Sequence, residues 1–172
     1  MQNKHLLRVA LLATVVLFCA CNRQKVYSHF QHVSATGWEK TDTLFYDIPP
    51  VVEDGTYREE LGLRIDNTFP FQSLTLEIIQ TILPKGGQKS YTKTCPLIDK
   101  KGNMKGAGVS NFQYTFFIDN IRLNRDDSIH ISLIHNMKRE IMPGVSDVGI
   151  TLTKTESGTH HVPARVNAQK DK

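Results

Sequence analysis

The chemistry open to this 172-residue sequence rests on three cysteines, seven histidines and 17 carboxylates, and their spacing rules most of it out. Cys19 and Cys21 stand two residues apart at the end of an apolar run. A zinc site needs four ligands at more generous spacing, and nothing nearby supplies the other two. A disulfide between residues two apart is sterically poor. His130 and His135 lie five apart on a predicted strand and so point to opposite faces, which argues for two separate roles, one exposed at an edge and one packed. The adjacent His160 and His161 lack a third ligand and read as solvated. Glu59 and Glu60, like Asp126 and Asp127, are sequence neighbours that diverge on a strand or turn, so no convergent acid pair is expected. Asp42, Asp47 and Asp54 fit no compact calcium loop. There is no Gly-X-Ser-X-Gly elbow, and the glycine-rich 102–108 lacks the strand-to-helix setting that aims backbone N–H groups at a phosphate; it reads as a long hairpin loop. The sequence therefore predicts no catalytic residue, metal site, cofactor or small-molecule substrate.

What Cys21 offers instead is a place for lipid. Lys4 and Arg8 precede an apolar run from Val9 to Ala20 in which only Thr14 is clearly polar, and no acid occurs. That is the charge and length profile of a signal peptide, too short to span a bilayer before Asn22, Arg23, Gln24 and Lys25 interrupt it. Phe18-Cys19-Ala20-Cys21 resembles the lipobox of bacterial lipoproteins, with Cys21 as the acylated first residue of the mature chain. Cys19 then leaves with residues 1–20, and Cys95 is the remaining thiol. An exported chain with one free thiol has no internal disulfide and must be held together by its core; Cys95 reads as a small buried apolar side chain. The expected division is a signal peptide over 1–20, a lipid-anchored domain over 21–155 and a polar, disordered tail over 156–172.

Loss of Lys4 and Arg8 takes 21 basic residues to 19 against 17 acidic, a mature net charge of +2. No basic run interleaves with aromatics on one face, which excludes nucleic acid as an expected partner.

Alternation at period two dominates the mature chain. Predicted strands cover Thr43–Ile48, Thr56–Asp66, Ser73–Leu83 as a central strand, Lys89–Thr94, and three more carrying Phe112/Tyr114/Phe116/Ile118, Ile129/Ile131/Leu133 and Val148/Ile150/Leu152 on one face each. Turn residues separate them at Pro49-Pro50, Glu53-Asp54-Gly55, Pro84-Lys85-Gly86-Gly87, Asp99 to Asn103, and Arg125-Asp126-Asp127. Val26, Phe30 and Val33 fall at helical spacing and mark a short helix or an extended tether. Seven to eight strands without helix-length insertions predict an all-β fold, an antiparallel two-sheet β-sandwich of jelly-roll type. Trp38, Phe45, Tyr46, Phe69 and Phe71 are candidates for an exposed sugar platform, which gives an alternative reading as a glycan-binding lipoprotein; aromatics in a sandwich of this size are usually core.

Several patterns taken in order resemble one family, the GldH gliding-motility lipoproteins of the Bacteroidota. They are Tyr27; Gly37-Trp38-Glu39-Lys40 followed by Asp42 and Phe45; LRIDNTFPFQSLTL from Leu63 to Leu76; LIDKKGNMKGAG from Leu97 to Gly108; and HNMKREIMPGVSDVGITL from His135 to Leu152. Met104 stands where the resemblance implies an aromatic. Similarity to this family implies a membrane-anchored, non-enzymatic accessory protein of gliding and of the associated type IX secretion apparatus, or more broadly of envelope assembly and export. It brings no catalytic residues. Gly144 and Gly149 suit turn or bulge positions, Asp147 a bond to local backbone in a turn, and Trp38 the plugging of one end of a sandwich. Exposed Lys138 and Arg139 and the loop carrying Lys100, Lys101 and Lys105 are the candidate partner surface. The expected location is the cell envelope, periplasm-facing, held through the N-terminal lipid beside protein partners.

Overall fold

The computed structural model describes residues 25–84 and 86–155, so the leader, Cys21 and the tail with His160 and His161 lie outside the described residues. Alternating apolar side chains bounded by turn residues give ten strands: β1 (Lys25–His32), β2 (Trp38–Glu39), β3 (Leu44–Ile48), β4 (Gly55–Asp66), β5 (Ser73–Leu83), β6 (Gln88–Pro96), β7 (Asn111–Leu123), β8 (Ser128–His135), β9 (Ile141–Met142) and β10 (Val145–Lys154). Two four-stranded sheets, ordered β1-β10-β4-β7 and β3-β8-β5-β6, are joined by a two-stranded pair β2-β9. Every pairing is antiparallel.

The order has a simple origin. β5 pairs β6, β4 pairs β7, β3 pairs β8 and β1 pairs β10, so the chain is one long hairpin with its tip between β5 and β6. Rolling that hairpin adds the β10·β4 and β5·β8 pairings and closes a jelly roll. The predicted all-β sandwich is correct, and the strands beyond the seven located in the sequence are β1 and the β2-β9 pair.

Inward side chains from both sheets form one core, including Tyr46, Leu61, Leu63, Ile65, Leu76, Ile78, Ile131, Leu133, Ile150 and Leu152. Cys95 lies within it, and burial pushes its thiol up to about 12. On β7 a bulge opposite Glu59 and Glu60 inserts one extra residue, so the inward phase passes from Tyr114 to Ile121 and Leu123. Phe112, Phe116 and Ile118, expected on one core face, are only partly buried.

Residues 26–33 correct the short-helix reading: β1 is an edge strand in register with β10, with Tyr27 opposite Leu152 and Gln31 opposite Val148. Phe30 lies opposite Gly149, and Gly149 opposite Gly62. Its ring crosses the outer face of the sheet so closely that a Cβ on Gly62 would stand 2.4 Å from the ring, and one on Gly149 2.6 Å from it. The Arg64 guanidinium covers the ring 4.4 Å from its centre. Gly149 is thus a mid-strand seat for an aromatic and no turn or bulge. Gly144, with φ of 78°, does occupy the turn between β9 and β10. Phe30→Ala is expected to lower stability by about 1 kcal/mol, read as a shift of the urea midpoint with unchanged slope.

The 97–110 loop departs from the hairpin reading too, because β6 and β7 belong to different sheets and the loop carries the chain across the sandwich.

Candidate functional site

The two ends of the sandwich are unlike. Lys25, opposite Thr153, opens β1 at the same end as the 49–54 loop, the β5–β6 connection, the 124–127 turn and Lys154. The opposite end collects the 33–43, 67–72, 97–110 and 136–140 connections. With β4 running 12 residues, the two ends stand about 35 Å apart.

All five candidate partner residues, Lys100, Lys101, Lys105, Lys138 and Arg139, are exposed at that second end. Their loops are pinned on either side of the start of β5. The Leu97 and Ile98 N–H groups both donate to the Gln72 carbonyl, at 2.9 and 3.1 Å, and the Lys105 N–H donates to Leu97 at 2.9 Å. Tyr114, buried beneath, donates its hydroxyl to the same Leu97 carbonyl at 3.0 Å. Asp99 closes the tip by accepting the N–H groups of Lys101 at 2.7 Å and Asn103 at 2.9 Å. Bonding to Asn103, ahead of its other partners, holds the Asp99 carboxyl below the usual carboxylate range. On the other side, the Asn136 N–H donates to Thr75 at 2.8 Å, and the Thr75 N–H reaches the Met137 sulfur at 3.3 Å. The lysines thus ride on braced loops.

Trp38 underpins the same end. It is fully buried, donates its indole N–H to the Asp42 carbonyl at 2.8 Å and meets the His135 ring edge-on at 5.3 Å. The plug expected from sequence is in place. His135, also fully buried, bonds the Trp38 carbonyl through Nε2 at 3.2 Å, and burial lowers its pKa. His130 points outward to Asp47, 2.6 Å away, so the two histidines serve opposite faces as their spacing implied.

The sugar-platform candidates do not share a surface. Trp38, Tyr46 and Phe69 are buried and Phe71 partly so, leaving Phe45 exposed, stacked on His130 at 5.8 Å. Asp147, expected in a turn, stands on β10 and faces His32 at 3.3 Å and Arg64 at 3.7 Å. Among the described residues no three His, Cys, Asp or Glu side chains converge as metal ligands, and no helix is long and apolar enough to cross a membrane.

Two buried polar groups were missed, Gln80, whose Nε2 has no hydrogen-bond partner, and Glu59. Glu59 is fully buried on β4, its two carboxyl oxygens without a hydrogen-bond partner. Opposite it on β7 is Asp119, which accepts the Tyr91 hydroxyl at 2.9 Å and faces Lys89 at 3.6 Å. Burial first, and the Asp119 charge second, raise Glu59 to about 7. The signal was visible in the sequence, since Glu59 shares the parity of inward Tyr57, Leu61 and Leu63.

A family model described as GldH lipoprotein matches residues 25–152. The gliding motility lipoprotein GldH of Flavobacterium johnsoniae is 23% identical over 155 residues, covering 86% of this chain and 96% of that protein. Among solved structures, the 4-O-methyl-α-glucuronidase BtGH115A is 13% identical with a TM-score of 0.44, covering 79% of this chain and 18% of that one. A family 35 carbohydrate-binding module from Clostridium thermocellum is 17% identical with a TM-score of 0.39, covering 74% and 89%. Likenesses this loose say nothing of ligand.

Proposed function

Since the chain belongs to the GldH lipoprotein family, as its motifs led one to expect, we propose that it is an accessory, non-enzymatic component of the gliding-motility and type IX secretion-associated envelope machinery. Cys21 carries the lipid, the sandwich faces the periplasm, and the basic loops carrying Lys100, Lys101, Lys105, Lys138 and Arg139 meet a protein partner. The observation that supports this reading is the division between the two ends. Three residues separate Cys21 from the start of β1, so a lipid on that sulfur holds one end at the membrane. The braced basic loops then stand about 35 Å away, where another envelope protein can reach them.

A test follows from that separation. Lys100, Lys101 and Lys105 changed together to Glu are expected to cut the yield of crosslinked envelope partners at least tenfold in intact cells, while membrane fractionation stays unchanged. Like charges introduced at an interface mainly slow association and reject the partner. Equal recovery of the same partners from the charge-reversed and parent proteins would remove these loops from the interface, and recovery of none from the parent would remove the accessory role.

A further inference from the structure

Seven large apolar side chains are exposed among the described residues, and three of them, Val26 at 41%, Val52 at 69% and Leu83 at 46%, belong to the end where β1 begins. Val26 and the Ile48–Val52 segment line one hollow, whose rim includes Pro49 and Pro50. The segment does not hang free. Val51 and Asp126/Asp127 exchange backbone hydrogen bonds, both at 2.9 Å, and the Val52 carbonyl accepts from the Arg125 guanidinium at 3.0 Å. An apolar surface is therefore presented on a fixed frame.

We propose that Val26, Pro49, Pro50, Val52 and Leu83 form a docking surface for the lipid bilayer itself, seating the sandwich end-on against the membrane that holds its anchor. The proposal rests on the reading of Cys21 as acylated. The occupant is argued from chain length: Asn22, Arg23 and Gln24 are all that separates Cys21 from Lys25. Four Cα steps reach about 14 Å at full extension, and the polar layer on each side of the hydrocarbon is about 5–8 Å deep. A sandwich tethered so briefly keeps this end at the headgroup level. The patch is too small to hold a free protein on a membrane, but a short tether makes the second contact intramolecular, so a weak surface is enough.

Charge among the described residues of this end is balanced: Lys25, Arg125 and Lys154 are answered by Glu53, Asp54, Asp126 and Asp127, while Arg23 and Lys85 lie outside the described residues. Lys154 pairs with Glu53, and Asp54 accepts the Arg125 backbone N–H at 2.5 Å. The described surface thus offers apolar insertion as its contact, and the salt comparison below separates this from attraction to anionic lipid.

The test uses the full-length acylated protein in phosphatidylethanolamine–phosphatidylglycerol vesicles. An environment-sensitive dye is placed on Val52→Cys or, as the far-end control, on Ser110→Cys; buried Cys95, its thiol pushed up, does not label. The dye at position 52 is expected to shift to the blue and to be quenched by lipid spin-labelled at the headgroup, at low and high salt alike, while the dye at 110 does neither. Val26→Asp with Leu83→Asp is expected to abolish the shift. Identical spectra at 52 and 110 in verified acylated protein would overturn the docking surface alone. A shift that grows with the number of protein molecules per vesicle would overturn it in favour of a second copy. An intact mass showing a bare thiol at Cys21 would overturn the anchor and the docking surface together.

Discussion

Trp38→Ala is expected to lower the stability of the folded chain by about 3–5 kcal/mol, the largest loss of any single substitution at the basic end. The indole is fully buried where three segments meet. Its backbone pairs with Met142 across β2-β9, its N–H holds Asp42, and its face receives the edge of His135 at the end of β8. Truncation leaves a cavity that those segments cannot collapse into without breaking the short ladder. Trp38→Phe is expected to retain most of the volume and lose about 1–2 kcal/mol, since the bond to Asp42 goes with the N–H. Trp38 is the chain's one tryptophan, so the measurement is thermal unfolding followed by far-ultraviolet circular dichroism and not by intrinsic fluorescence. Because Lys138 and Arg139 sit between β8 and β9, amide exchange over 136–142 should accelerate in Trp38→Ala while that of β4 changes only with global stability.

Glu59→Gln is expected to stabilise the protein above neutral pH and to flatten its stability profile on the acid side. The unfolded carboxyl gives up its proton near 4.5 and the folded one near 7, so between those values the folded chain holds more protons. Stability therefore falls as pH rises through that window, by about 3 kcal/mol at most, and the deficit stays constant above it. Gln keeps the shape and carries no charge at any pH. Lys89 and Asp119 face the site in both proteins, and His135, whose lowered pKa works in the opposite direction, is likewise common to both. The difference between the two denaturation curves at about pH 5 and about pH 8.5 thus isolates Glu59. A parent protein equally stable at both, with no gain in Glu59→Gln, would place the carboxyl in water.

Period-two alternation made β3, β4, β5, β6 and β8 legible, because in each the inward residues keep one parity from end to end, and β10 legible from Val148 on, past the bulge that sets buried Val145 out of phase with Val148, Ile150 and Leu152. β7 was legible as a strand but not in phase: its bulge changes parity partway, and no local signal marks the inserted residue. β1 was misread because it is an edge strand whose inward and outward residues differ little in polarity, so Val26, Phe30 and Val33 mimicked a helical stripe. β2 and β9, two residues each, are too short to show any period and exist because Trp38 and Met142 are buried together. Of the candidate site, the basic residues were readable and their gathering at one end was not, since that depends on which strands neighbour β5. Glu59 could have been placed inside by parity alone; charge argued for the surface and obscured it.

The pairing of the first strand with the last has a consequence for biogenesis. β10 lies between β1 and β4, hydrogen-bonded on both sides, and follows both of them when a polypeptide is threaded N-terminus first. Until Val145–Lys154 has cleared the translocation pore, one whole sheet lacks its interior member and the other has no lid. In any such threading that sheet can close only once Val145–Lys154 is free to enter between its neighbours.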